Sequence, residues 1–364
     1  MKKDNPLSLP FCIYGAGIVA SSIYTAWKAL YHASPECFLV TSIEDNPRKI
    51  DGIPVKSLEE ITHQKHRLLY AIAVPEVHHS AIIKLLRKQG INDEQILPID
   101  NKLENAIMEE YYAHRKDFLT AKEIIASYGK DDIGNVDIQV YQAKCHMDKP
   151  LTFDEKPADY IYPLQVGASL TNQRIATLLD NQGKNISEKN RNYCELTATY
   201  WAWKNRDIAY KGLCHYRRIF DLSDKEIQIL FGISRSIDVI LPYPVFYYPG
   251  MRVEHLRYVD ESDWRAMLKA LKTVAPDYDR AYESIADEPY FYNYNMLIAR
   301  REIFDDYSSF LFAVLEETER NLAVKEMDRA DRFAGYLAEN LTTIYFRANR
   351  EKYKIAHAGK LWLV

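Results

Sequence analysis

The sequence predicts two α/β domains in tandem: an N-terminal Rossmann-like parallel sheet, then a larger C-terminal α/β domain. Three observations carry this. Short apolar runs alternate with helical stretches along residues 11–100. A glycine-punctuated turn follows the first of those runs. The chain, at 364 residues, is long enough for two cores, and a polar stretch at 101–135 offers a place to divide them.

Phe11–Tyr14 is the first strand candidate, and a helix should follow to about His32. Cys37–Thr41, Leu68–Val74 and Ile96–Ile99 continue the strand series, with a helix over Ile82–Gln89 closed by Gly90. Residues 1–100 therefore read as the first domain. Residues 101–135 read as a helical linker ending in Gly129–Gly134, and 136–364 as the second domain. In that domain strands are expected at Val136–Ala143, Gly212–Phe220, Asp238–Leu241 and Asn295–Ala299. Helices are expected at 187–204, 261–273, 302–320 and 330–347.

Composition narrows the function classes. With 47 basic and 51 acidic side chains the net charge is −4, which argues against a nucleic-acid partner held by a broad basic surface. Five cysteines, widely spaced and without a Cys-x-x-Cys pair, fit neither a disulfide framework nor a cysteine zinc site; they point to a reducing cytoplasm. No run of 18 apolar residues predicts a membrane span, and Asp4, Pro6 and Pro10 interrupt the start where a signal peptide would lie. Of 27 tyrosines, 20 follow residue 135; their flat faces and polar tips suit sugar rings as well as protein interfaces.

Gly15-x-Gly17-x-x-Ala20 matches the dinucleotide fingerprint, in which one glycine makes the turn and the next lets a pyrophosphate approach. Gly15, Gly17 and the acidic Asp45 (or Glu44) are the candidate nucleotide-binding residues of this domain. The alternative is a Rossmann-like turn with no bound cofactor. His78 and His79 follow the third strand and read as solvated. The Tyr14–Gly17 turn, Glu44–Pro47 and Gly52–Glu60 resemble Rossmann-like sugar-nucleotide or cofactor-binding modules attached to bacterial polysaccharide enzymes.

Three segments of the second domain carry chemistry. In Asn185–Asn205, Ser187 reads as an N-cap. Arg191, Glu195 and Thr199 make a polar flank, so Glu195 and Asn190 are candidates to reach a ligand. In Tyr210–Phe220, an apolar strand delivers His215, Arg217 and Arg218 to its carboxyl end, where open α/β sheets bind ligands. In an extended chain His215 and Arg217 share a side, so both are expected to face one diphosphate. In the last helix Arg332, Tyr336 and Glu339 are neighbours at helical spacing. Two aromatic loops, Pro242–Gly250 and Tyr290–Asn295, could stack on sugar rings or pack internally. Asn293 and Asn295 could bond sugar hydroxyls.

Taken in order, Pro163–Ala168, Asn185–Asn190, Tyr193–Thr197 with Tyr200–Asn205, Gly212–Arg218 (Gly-Leu-Cys-His-Tyr-Arg-Arg), Tyr294–Met296 and Gly335–Glu339 resemble a bacterial family of unknown-function domains. That family occurs in capsular and exopolysaccharide gene clusters and is regarded as glycosyltransferases. The layout is also similar to GT-A glycosyltransferases. The resemblance implies a nucleotide-sugar donor, UDP-linked and at family level UDP-galactofuranose, and a saccharide or lipid-linked acceptor in capsule, exopolysaccharide or O-antigen synthesis. It implies a cytoplasmic enzyme, compatible with peripheral association at the inner face of the cell membrane. By the same resemblance, His215, Arg217, Arg218, Asn190, Glu195 and Gly167 would bind donor, and Asn293, Tyr294, Asn295 and Arg332 acceptor. The base is left open among Glu339, Glu195, Asp238 and Asp260. GT-A enzymes usually hold Mn²⁺ or Mg²⁺ with Asp-x-Asp; here His215-Tyr216-Arg217 takes that place, and Asp277-Tyr-Asp279 lies elsewhere. No metal ligand is assigned, and a divalent ion stays open. Two other readings remain: an NAD-dependent sugar-nucleotide oxidoreductase, from Gly15 and Gly17 with the Tyr112/Lys116 and Tyr200/Lys204 spacings, and a non-catalytic sugar-nucleotide-binding scaffold.

Overall fold

The computed structural model describes residues 9–44, 46–61, 67–128, 134–151, 157–234, 236–255, 258–322 and 329–363. It divides into two compact units. The first comprises residues 1–115 with 245–250 and 288–290, and the second the remainder.

In the first unit the four buried residues of β1 (Phe11–Tyr14) lead into α1 (Ile18–Tyr31). Then come β2 (Phe38–Val40), β3 (Lys49–Ile50), β4 (Ile53–Ser57), β5 (Leu69–Ile72), α2 (His79–Lys88), β6 (Ile96–Pro98) and α3 (Asn101–Ala113). The strand order is β3-β4-β2-β1-β5-β6, parallel throughout except for β3 against β4. This is the doubly wound arrangement the strand–helix alternation predicts. One face of the sheet buries Cys12, Tyr14, Leu39, Tyr70 and Ile72 against Leu86 of α2. On the other face Phe11 meets Trp27 of α1 edge-on, with ring centroids 5.6 Å apart.

The turn after β1 needs its first glycine. Gly15 has φ +134°, and a Cβ there would lie 2.5 Å from the Ala73 carbonyl oxygen and 2.9 Å from Val74 Cγ1. Two expectations change. Helix α3, expected in a linker, buries Ile107, Met108, Tyr111 and Tyr112 and belongs to this unit. His79 is buried at the start of α2, with Nε2 3.0 Å from the Val74 carbonyl, whereas His78 is exposed.

The second unit opens with β7 (Leu119–Thr120), α4 (Ala121–Ala126), β8 (Ile138–Lys144), β9 (Ile161–Gln165) and β10 (Leu178–Leu179). It continues through α5 (Asn190–Tyr193), α6 (Leu196–Asn205), β11 (Tyr210–His215), β12 (Arg218–Phe220), α7 (Asp224–Gln228) and β13 (Val239–Pro242). After the short strand β14 (Val245–Phe246) come α8 (Met251–Glu254), α9 (Glu261–Val274) and α10 (Pro276–Ile285). The short strand β15 (Tyr290–Phe291) precedes β16 (Leu297–Arg300), α11 (Arg301–Asn321), α12 (Phe333–Ala348), β17 (Ile355–Ala358) and β18 (Lys360–Trp362).

Its sheet runs β10-β9-β8-β11-β16-β13-β17-β7. Strand β16 is antiparallel to both neighbours, while the other pairs on this path are parallel. Strand β12 turns back on β11 and pairs with β18.

The structure corrects two local expectations and decides between the two readings of the first aromatic loop. Gly212–Phe220 is a hairpin, not one strand: the chain turns at Tyr216–Arg217. The helix expected over 187–204 is broken at Cys194, which takes φ +50°. There Asn190 Nδ2 donates to the Cys194 carbonyl (2.7 Å) and to Thr197 Oγ1 (3.2 Å), offering the backbone an alternative to continued helix. The rings of the first aromatic loop are core. Residues 245–250 join the first unit, where Phe246 N donates to Ser22 Oγ (2.9 Å), Tyr248 hydrogen-bonds Thr25 (3.1 Å), and Phe246 lies 5.8 Å from Tyr111.

Candidate functional site

The carboxyl end of β11 gathers the second unit's strained backbone. Among the described residues, its non-glycine positions with positive φ are Cys194 (50°), Tyr294 (84°), Asn295 (49°) and Arg332 (66°). Cys194 precedes Glu195, Tyr294 and Asn295 lead into β16, and Arg332 caps α12. Such conformations cost about 1–3 kcal/mol each and persist where surrounding structure enforces them, commonly at functional sites.

Side chains on these turns interlock. His215, the last residue of β11, donates from Nε2 to the Tyr294 carbonyl, and the same nitrogen lies 3.6 Å from Glu195 Oε1. Asn295, only 2% exposed, donates from Nδ2 to Glu195 Oε1 (2.7 Å) and to the Gly335 carbonyl (3.0 Å). Glu339 Oε1 accepts from the Tyr294 backbone N–H at 3.2 Å. The strained turn at 294–295 is thus held by β11, by the start of α6 and by α12. Burial pushes the His215 imidazole down to about 4, outweighing the pull of Glu195. That direction favours the neutral imidazole at physiological pH.

The hairpin also reassigns the arginines. Arg218, not Arg217, is the Cα partner of His215, so those two side chains share a face. Arg218 is 8% exposed, with its guanidinium 4.3 Å from the ring centres of both Tyr294 and Trp362. Its Nε has no hydrogen-bond partner, and no described carboxylate lies within 4 Å of the group; Glu195 and Glu339 act on it only at longer range. Arg217 occupies the turn, half-buried, and its Nε is likewise unpartnered.

Other candidates are engaged within the chain. Gly167 (φ +64°) sits where a Cβ would lie 2.7 Å from Asn190 Oδ1, and so packs on Asn190. The Gly167 turn is held by Asp180, fully buried, which accepts from Gly167 N (2.8 Å), Ala168 N (3.0 Å) and Ser187 Oγ (2.5 Å). Ser187 therefore serves Asp180 rather than a helix cap. Asn293 Oδ1 accepts from Tyr294 N at 2.7 Å. Asp238 is not brought to the site: it pairs with Arg300 (2.8 Å), whose Cα partner is Tyr210, at the other end of β11 from His215. In the first unit, Gly17 caps α1 and Asp45 lies outside the described residues.

Sequence reasoning missed Asp148. It follows the carboxyl end of β8, accepts from Cys145 N through Oδ2 (2.6 Å), and has Lys144, Arg217 and Arg332 as its charged neighbours. Burial pushes its carboxyl up to about 6, the basic neighbours notwithstanding. The available signal was a carboxylate four residues past a strand that pairs with β11.

Among the described residues no group of three or more His, Cys, Asp or Glu could hold a metal ion, and no helix is long and apolar enough to cross a membrane. Asp277 and Asp279 lie in the first turn of α10, where Asp277 pairs with Arg280.

A solved structure described as the bifunctional glycosyltransferase WbbM in its apo form is similar to this chain, at 28% identity and a TM-score of 0.54. The match covers 62% of this chain and 45% of that one, so the chain spans under half the length of that protein. No curated protein matches. The mixed sheet with a reversed strand beside β11 is an α/β glycosyltransferase fold. Residues 148–350, more than half of the chain and including β11, β12, β16, α6 and α12 but neither β8 nor β18, match one family throughout, and the chain belongs to it: the domain of unknown function DUF4422.

Proposed function

We propose that the protein is a glycosyltransferase that moves a sugar from a nucleotide-sugar donor bound at the carboxyl end of β11. One observation carries the reading: Arg218 is a buried cation with no counter-ion within 4 Å among the described residues. Burying an unpaired charge costs several kcal/mol. An anionic ligand that completes the site offsets that cost, and a diphosphate matches a guanidinium fork. Arg217, at the turn and partly exposed, reaches the same anion. On bond cleavage the two guanidiniums stabilise the charge developing on the leaving nucleoside diphosphate.

The β11–β12 hairpin itself supplies two guanidiniums and an imidazole whose Nε2 is engaged, and the carboxylates nearby do not gather with it into a set of three or more metal-ligating side chains among the described residues. No step is routed through a metal. Glu195 and Glu339 are the base candidates for an acceptor hydroxyl, and the distant Asp238 takes no part. The Gly167 turn, held by Asp180 and seated on Asn190, forms a donor-side wall. Tyr294 and Arg332 lie toward the acceptor. A UDP-linked donor, galactofuranose among the candidates, and a saccharide or lipid-linked acceptor of a surface polysaccharide are the substrates this reading favours. The five free cysteines suit a cytoplasmic place of work.

The test is calorimetric titration with UDP, GDP and CDP, paired with hydrolysis assays on UDP-sugars. The reading expects one nucleoside diphosphate to bind, and to bind much more weakly to Arg218→Met. Equal binding by that variant, or none by the wild type, overturns it.

A further inference from the structure

From Phe333 to Arg347, α12 is buried at every position but two, Tyr336 and Glu339. Those residues are three apart on one helix face, and the exposed Arg332 caps the helix four residues before Tyr336. A helix buried all round except for one row has that row facing an opening. Its inner end is the site already described, because Glu339 accepts from the strained Tyr294 N–H. Its outer end is aromatic: the Tyr336 ring stacks on Tyr258, with centroids 5.2 Å and planes 21° apart. Tyr258 is 45% exposed.

We infer that the row Arg332–Tyr336–Glu339, backed by Tyr258, is the saccharide-binding face for the sugar acceptor, a step that rests on the glycosyl-transfer reading. The stacked tyrosines offer a flat apolar surface already fixed in orientation, suited to the C–H face of a sugar ring. The row carries a cation at one end and a carboxylate at the other, about 10 Å apart at helical rise. An anionic ligand meets repulsion from Glu339, and a cationic one from Arg332. A neutral polyol meets neither, since its hydroxyls accept from the guanidinium and donate to the carboxylate. The row also runs inward, so a saccharide lying along it directs one end at Glu339 beside the proposed donor site.

The experiment is saturation-transfer NMR, irradiating aromatic protons and observing methyl β-galactopyranoside and lactose. Wild-type protein, Tyr336→Ala, Tyr336→Phe, Tyr258→Ala and Arg218→Met are compared, with a thermal melt and a UDP titration on each sample. Transfer to the sugar ring is expected in the wild type, reduced at least fivefold in Tyr336→Ala, reduced in Tyr258→Ala, and retained in Tyr336→Phe and Arg218→Met. No transfer in the wild type, or undiminished transfer in a folded Tyr336→Ala, overturns the assignment. A UDP titration that fails while the sugar signal persists removes the donor reading and leaves the sugar face standing.

Discussion

Across the two-residue turn at Tyr216–Arg217, His215 and Arg218 are directly opposed, and only Arg218 carries charge at neutral pH. The imidazole is an internal hook on Tyr294; the guanidinium, clamped between Tyr294 and Trp362, is the group left to meet a ligand. Replacing Arg218 by methionine keeps apolar contact with both rings and removes a desolvated charge. Arg218→Met should therefore melt no lower than the wild type, while losing about 10- to 100-fold in nucleoside-diphosphate affinity, the worth of one or two charge-assisted hydrogen bonds. Differential scanning calorimetry and titration calorimetry read the two effects separately. A variant that unfolds would show that the cation is structural.

Two buried groups oppose each other in their pH dependence. The folded-state pKa of His215 lies below its usual value, so the stability it contributes is present above about 6.5 and is lost as pH falls toward 4. Asp148 is raised, so the folded state is destabilised as pH rises from about 4 through 6 and remains so above it. Asp148→Asn removes the second effect and keeps an oxygen acceptor for Cys145 N. It should stabilise the protein by about 2 kcal/mol at pH 7 and by little at pH 4, after allowance for partial exposure. Urea denaturation at the two pH values checks this. An equal shift at both would mean that burial does not control the Asp148 carboxyl.

The start of α12 is tied down by Arg329. Its guanidinium is bidentate to the fully buried Asp263 of α9, at 2.7 and 2.5 Å, and it also pairs with Asp331 just before the Arg332 cap. Asp263→Ala strips the arginine of its buried partner and should cost about 3–5 kcal/mol. It should also loosen Arg332 and Tyr336, lowering sugar binding more than UDP binding. A loss below 1 kcal/mol by chemical denaturation would contradict this role.

Much of the scaffold was legible because it is local. The alternation of strands and helices in residues 11–98, the Gly15 turn and the long helix α11 follow from apolar periodicity and backbone permission, which neighbouring residues alone dictate. The candidate site was legible as a list: Glu195, His215, Arg218, Tyr294, Asn295 and Glu339 do converge. Their roles were not legible. Asn295, expected to bond a sugar, binds Glu195 and the Gly335 carbonyl, a hundred and forty residues apart in sequence. Tyr216–Arg217 contains no glycine, asparagine or proline to announce a hairpin, so the strand was drawn straight through it.

By itself, then, the sequence determined the succession of elements in residues 11–98, the glycine turn of the first unit, and that His215, Arg217 and Arg218 arrive at the end of β11. Tertiary structure alone decided which arginine shares a face with His215, that burial lowers the His215 imidazole and raises the Asp148 carboxyl, and that α12 leaves a single row open. The reason is physical. Periodicity and turn chemistry act over a few residues, whereas burial, desolvation and hydrogen-bond partnership depend on groups brought together from distant parts of the chain.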